Sequence, residues 1–284
     1  MGKINYLDNL EKSAIANKSI LCMGVDPIIE RMPIKEKSIE KKIIKFYITI
    51  LNALRSSGKS AGISAVKPNY AFFAQYGFPG LRSLKRVIES YKKYYIVLLD
   101  SKRGDIGNTS IAYAKEVFDF WGVDSVTVNP YLGYDSLVPF FEYCNNGKGV
   151  YVLVRTSNQG ASEFQNLFVG NEALYIKVAQ SVVKWKIKGV GVVIGAPSIE
   201  EFKHIANFFN KQKIGVPFLI PGIGKQGGSA AKVAGILNQN KETLALHRIN
   251  ASSSINYAYE KTNSKDYADA SVKAIIKLNR EINI

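Results

Sequence analysis

Cysteine and histidine are scarce in this 284-residue chain, which holds only Cys22, Cys144, His204 and His247. The cysteines stand far apart without metal-ligand spacing, and two histidines are too few for most zinc sites, so no metal centre is expected. Thiols this sparse fit a chain kept in the reducing cytoplasm. No apolar run approaches ~18 residues, so nothing is expected to span a membrane. The opening MGKINYLDNLEKSA is charged and has no apolar core, which argues against a secretory signal. Tyr6 stands where a myristoylation pattern requires Ser or Thr. Acidic residues are also outnumbered, 23 against 38 Lys and Arg, for a net charge of +15. What is present is ordinary for a globular protein: 46% hydrophobic and 21% charged residues, which excludes a disordered chain. The length suffices for a large core without staples, and α/β barrels of this size are commonly one domain.

The positive charge admits three readings: a nucleic-acid surface, a lysine-rich solvated face, or a basic site for an anionic substrate. The lysines are dispersed, as at Lys41, Lys42, Lys92, Lys93, Lys184, Lys186 and Lys188. No basic arm or nucleic-acid motif accompanies them, so nucleic acid is not an expected partner. A basic site needs only a few of these charges.

Short β-type runs alternate with helical stretches along the chain. The β runs are Ser19–Asp26, Ser64–Asn69, Tyr95–Asp100, Ser125–Pro130, Gly149–Thr156, Gly191–Ala196, Pro217–Gly222 and Leu244–Ser252. Helical spacing covers Glu40–Ser57, Phe78–Lys93, Thr109–Trp121, Ala173–Lys188, Ile199–Asn210 and Ser229–Asn238; Ile43, Phe46, Tyr47, Ile50, Leu51 and Leu54 form one such apolar face. Nearly all-apolar strands alternating with helices predict a parallel sheet covered on both faces. Eight of them predict an α/β fold of the (β/α)8 TIM-barrel type, a single domain over 1–284. A doubly wound open sheet is the alternative. Asp26, Lys67, Asp100 and Thr156 each fall at the C-terminal end of a β run, the catalytic face of a barrel. Charges there are costly unless paired or functional.

The densest chemistry lies in Leu98–Ser110, LLDSKRGDIGNTS, where Asp100, Lys102 and Asp105 make an Asp-x-Lys-x-x-Asp pattern. Read alone, the pattern fits a salt-bridged loop as well as a catalytic cluster. The second charged pair, Asp26 and Lys67, favours catalysis. A glycine-rich loop after the seventh strand, Gly222 to Gly228, stands where barrels bind phosphate. The pair Phe72 and Phe73 reads as core or interface, Arg155 as packing.

The blocks GVDP (Gly24–Pro27), VKPN (Val66–Asn69), LLDSKRGDIGNT (Leu98–Thr109), VRTSNQG (Val154–Gly160), VIGAP (Val193–Pro197) and PGIGKQGG (Pro221–Gly228) together resemble orotidine 5′-monophosphate decarboxylase. They fall in that family's order and cover nearly the whole chain. The longer bacterial and protozoan form fits best, without the phosphoribosyltransferase half of the fused enzyme. The resemblance implies loss of CO2 from orotidine 5′-monophosphate to give UMP, the last step of de novo pyrimidine synthesis, with no metal or organic cofactor. It makes Lys102 the proton donor to C6 and sets Asp100 against the departing carboxylate. Lys67 links the network and binds a ribose hydroxyl. Asp105 and Thr109 enter the site from the other subunit of a homodimer. Asp26 holds the ribose with help from Asn69, Ser157 bonds the pyrimidine edge, and Gln226 bridges pyrimidine and phosphate. Gly224, Gly227 and Ser253 lie in the phosphate loops. One departure stands out: the family's usual phosphate-binding arginine aligns with Ser253. Arg248 or a lysine compensates, or binding is weak. A magnesium-dependent sugar-phosphate barrel and a non-catalytic nucleotide-binding barrel are the competing readings.

Overall fold

In the computed structural model, residues 5–212, 214–224 and 226–283 are described, without side chains at 59 and 60. Residues 1–4 of the opening segment and Lys225 of the glycine-rich loop lie outside them. Eight parallel strands close into a barrel. They are β1 (Leu21–Val25), β2 (Ala65–Pro68), β3 (Ile96–Arg103), β4 (Ser125–Val128), β5 (Gly149–Arg155), β6 (Val190–Ile194), β7 (Phe218–Ile220) and β8 (Arg248–Ala251). Closure is made by β1, which pairs with β2 through Gly24 and Lys67 and with β8 through Cys22 and Asn250. The open doubly wound sheet is thereby excluded.

Helix α1 (Tyr6–Asn17) precedes the barrel. Then α2 (Ile39–Ser56), α3 (Gly77–Tyr91), α4 (Gly107–Lys115), α5 (Tyr134–Glu142), α6 (Leu174–Trp185), α7 (Ile199–Gln212), α8 (Ala230–Leu237) and α9 (Tyr267–Ile282) follow the strands in turn. The six expected apolar residues of α2 are all buried against the barrel, and Ser38 caps its first turn by accepting from the Lys41 N–H. The helix expected over Thr109–Trp121 changes character at Glu116: residues Glu116–Trp121 form a π turn that stops at Gly122, φ +68°. That turn brings the Glu116 carboxylate to Arg103, at 2.6 and 3.0 Å, and to Trp121 Nε1 at 2.9 Å. Arg103 is thus pinned just before Asp105.

The eighth strand is shorter than expected. Leu244–Leu246 is a 3-10 turn, and only Arg248–Ala251 pairs in the barrel. His247 and Arg248 therefore lie at the N-terminal end, opposite the site. The Arg248 guanidinium is fully buried and donates to the carbonyls of Ala245, His247 and Leu10, tying α1 across the barrel floor. Arg248 cannot supply the missing phosphate contact. His247 accepts the Phe218 N–H at Nδ1, so Nε2 carries the proton; burial, reinforced by Arg248, pushes its pKa down to about 3. The histidine is a neutral strap between β7 and β8.

Candidate active site

The C-terminal mouth of the barrel opens on a cavity of about 320 Å³. Its floor is apolar, with Leu153, Val193 and Leu219 from β5, β6 and β7. Its wall carries Asp26, Lys67, Asn69, Asp100 and Lys102 from the first three strands. The parallel barrel puts these together because each follows or ends an inward-facing strand.

Asp100 is the hub. Lys67 Nζ donates to its Oδ2 at 2.7 Å, Lys102 Nζ to its Oδ1 at 2.6 Å, and Thr127 Oγ1 to Oδ1 at 3.0 Å. Burial alone would push the Asp100 pKa up, but the two ammoniums reverse this and hold it well below the usual carboxylate range. Burial pushes Lys67 down, and Asp100 with Asp26 more than restores it, so the amine stays charged. Lys102 is the exposed member, with 48% of its side chain open, and it sits in the left-handed region at φ +47°. Such backbone costs on the order of 1 kcal/mol or more outside glycine. Thr127 on β4 holds it there: its Oγ1 accepts the Lys102 N–H at 3.0 Å while donating to Asp100.

Asp26, just beyond β1, accepts from Ser252 Oγ at Oδ2, while its buried Oδ1 has no partner. Burial raises its pKa, and Lys67 only partly offsets this. Asp26 as a residue lines the cavity. Close packing sets the geometry: a Cβ on Gly24 would lie 2.6 Å from the Ser252 Cβ. Asn69 spends its Oδ1 on the Ala71 N–H, leaving its amide donor.

The other expected residues divide. Ser157, Gln226 and Ser253 line the cavity, from the β5, β7 and β8 ends. Gly224 and Gly227 do not, and their N–H groups are spent inside the loop. Gly224 donates to the Gly228 carbonyl, Gly227 to Gly224, and Gly228 to Gly222, at 2.9–3.0 Å. A Cβ on Gly228 would meet the Gly222 oxygen at 2.6 Å, so the loop closes on itself. Asp105 and Thr109 stand outside their own chain's cavity, Asp105 accepting the Ile106 N–H. Arg155 is packed as expected, against the Thr156 carbonyl and Glu201. Phe73 is core, but Phe72, read with it, borders the cavity.

Sequence reasoning missed Arg31, Thr127 and Tyr257, all of which line the cavity. Thr127 had a findable signal, a hydroxyl between two valines in the run SVTVNP. Among the described residues, no three His, Cys, Asp or Glu side chains gather as a metal-holding group, and no helix is long and apolar enough to cross a membrane.

A closed parallel barrel, with an ion-pair network at its mouth over an apolar floor, defines a (β/α)8-barrel enzyme. Residues 50–267 match the family described as Orotidine 5′-phosphate decarboxylase / HUMPS family. Orotidine 5′-phosphate decarboxylase of Dehalococcoides mccartyi is 35% identical over 285 residues, 99% of this chain and 98% of the relative. The Leishmania donovani OMP decarboxylase structure superposes with a TM-score of 0.76 at 28% identity, covering 99% of this chain and all (100%) of that one. Leishmania donovani UMP synthase gives 0.78 at 30% identity, over 98% of this chain, which spans only 57% of that longer protein. The chain belongs to the orotidine 5′-phosphate decarboxylase / HUMPS family, and it is an enzyme of the carboxy-lyase class, its matching relatives being decarboxylases by name.

Proposed function

We propose that this protein converts orotidine 5′-monophosphate to UMP and CO2 in pyrimidine biosynthesis, without a cofactor and in the cytoplasm. The observation that carries the reading is Asp100 held ionised between Lys67 and Lys102 above an apolar floor. In the reaction, the bond from C6 to the carboxylate carbon breaks, CO2 leaves, and the electron pair stays on C6. Lys102 Nζ delivers a proton to C6 and regains one from water. Asp100, forced to stay charged, lies against the substrate carboxylate and disfavours it relative to the carbanion, which the Lys102 ammonium favours. Leu153, Val193 and Leu219 keep water from beneath the ring.

Asp26 Oδ1 accepts a ribose hydroxyl, with Lys67 and Asn69 as neighbouring donors. Ser157 meets the pyrimidine edge, and Gln226 bridges it to the phosphate near Ser253. A second copy of the chain supplies Asp105 and Thr109. Support for this comes from their place outside the cavity and from the exposed apolar surface around them: Ile106 at 60%, Tyr131 at 86%, and Ile111, Leu132 and Tyr134.

The test is loss of substrate absorbance as orotidine 5′-monophosphate is converted, with and without EDTA. Turnover should survive EDTA, and Lys102→Ala should lose at least about 10²–10⁴-fold while the chain stays folded. The magnesium-dependent relative would use Asp100 as a metal ligand, but both its oxygens are occupied by ammonium and hydroxyl donors. Turnover abolished by EDTA and restored by magnesium would favour that relative.

A further inference from the structure

We propose that Arg31 is the cation that binds the ligand's phosphate monoester, a role nothing in the family's motif order assigns to the loop after β1. The proposal rests on the nucleotide-phosphate reading above. Among the described residues, Arg31, Lys67 and Lys102 are the cations lining the cavity. Lys67 and Lys102 are both committed to Asp100. Arg31 is not: it ends the 3-10 turn Ile29–Arg31 and is held on the β8 side of the cavity. Its Nε and Nη2 donate to Glu260 at 2.8 and 2.5 Å, and its guanidinium lies 3.9 Å over the Tyr257 ring. Tyr257 and Glu260 follow Ser253 by four and seven residues, so this grip sets Arg31 beside the Ser252–Ser253 edge.

The turn itself is stapled to the same segment. Tyr257 Oη accepts the Ile28 N–H at 2.8 Å and donates to the Asp26 carbonyl at 3.0 Å, and Tyr259 Oη donates to the Arg31 carbonyl. No described residue accepts from Nη1, so its two N–H groups remain for a ligand. The other donors on the phosphate side, Gln226 and the start of the Ser253–Asn256 turn, are neutral. The amides of Gly224, Gly227 and Gly228 are spent within their loop, and Arg248 is buried at the opposite end of the barrel. Ser253 contributes a neutral hydroxyl. A planar fork with two donors fixed on a carboxylate and both Nη1 donors free is preorganised for a phosphate oxygen pair.

Calorimetry of the full chain with UMP, uridine and inorganic phosphate tests this. Arg31→Gln should weaken UMP by roughly 10- to 100-fold, leave uridine unchanged, and weaken inorganic phosphate in parallel. Arg31→Lys, which keeps the charge and guards against a folding defect, should recover part of the loss. Adding Ser253→Arg to Arg31→Gln should restore UMP selectively. Unchanged UMP affinity in Arg31→Gln overturns the proposal. So does an equal loss for uridine, or phosphate selectivity lost in Lys225→Gln but kept in Arg31→Gln. A wild-type chain that turns over orotidine 5′-monophosphate but does not prefer UMP to uridine overturns Arg31 alone. A chain with neither turnover nor UMP binding overturns the nucleotide reading, and Arg31 with it.

Discussion

Replacing Lys67 by Met isolates the charge network from the proton donor. Met preserves the stem and its packing while removing one buried ammonium. Asp100 keeps two of its three donors, Lys102 and Thr127, and Asp26 keeps Ser252 but loses its flanking cation. A charge-assisted hydrogen bond is worth about 1.5–3 kcal/mol, and because Asp100 is still served the fold should lose no more than that at neutral pH. The pH dependence carries the sharper signal. In the wild type, Asp100 is depressed below its unfolded value, so its stabilising contribution is complete above the usual carboxylate range and is lost only as pH falls towards the folded pKa. Lys67 is raised, so its contribution is present below the ordinary lysine value and is lost only at strongly alkaline pH. Removing it should flatten the acid side of the stability curve. Asp26, already raised by burial, and Asp100 should each climb without the ammonium. The acid limb of kcat/KM should therefore move towards neutrality, with an overall loss of about 10²–10³-fold. The assay is the pH profile of decarboxylation beside urea melts at matched pH. Activity within a few fold of wild type, with an unmoved acid limb, would show that Lys67 is a passive ion-pair partner.

Thr127→Val should lower kcat by about 10- to 100-fold with little change in KM, because Val keeps the packing but frees the Lys102 N–H and one Asp100 oxygen. A Val variant with wild-type kcat would show that Lys102 holds its left-handed backbone without help. Mixing inactive Asp105→Ala with inactive Lys102→Ala chains should regenerate activity, since one site of the mixed dimer has both residues intact. Native mass spectrometry would verify subunit exchange, and absence of recovery after exchange would refute shared sites.

Which parts of this site could be read from sequence follows from the physics of each element. The eight strands announce themselves because a strand buried on both faces must be apolar throughout, so Asp26, Lys67, Asp100 and Thr156 stand out at the strand ends. The eighth run misleads for the same reason: Leu244–Leu246 is apolar because it packs under the barrel as a 3-10 turn, and composition alone does not separate that from a strand. Helix α1 does carry a trace, Tyr6, Leu10 and Ala14 at helical spacing behind the Asn5 cap, whereas the π turn at Glu116 leaves none that distinguishes it in advance. Arg31 was hidden by its setting in GVDPIIERMP, where a charged residue after a turn looks like surface. Its significance comes from Tyr257 and Glu260, more than two hundred residues later, which only the closure of β1 onto β8 brings near. The glycine loop shows the converse: PGIGKQGG reads as a row of free amides, yet the fold turns three of them inward.

The two carboxylates beside Lys67 explain how one small mouth holds such different charges. Asp100 receives three donors and is driven to the ionised form, whereas Asp26 receives one and is driven by burial towards the neutral form. Environments that separate the pKa values of neighbouring acids assign them different tasks. An acid held ionised, with both oxygens already accepting from protein donors, repels another anion brought against it, which suits a group set against a departing carboxylate. An acid left with one buried, unpartnered oxygen gains a hydrogen bond when a hydroxyl arrives, which suits a group that recognises a sugar. The shared Lys67 couples the two: a hydroxyl donated to Asp26 favours its charge, and that charge in turn strengthens Lys67 as a cation beside Asp100. If Asp26 recognises the ribose as proposed, sugar binding and readiness of the charge network are one equilibrium, and the ribose end of the ligand would contribute to the chemistry at the pyrimidine end.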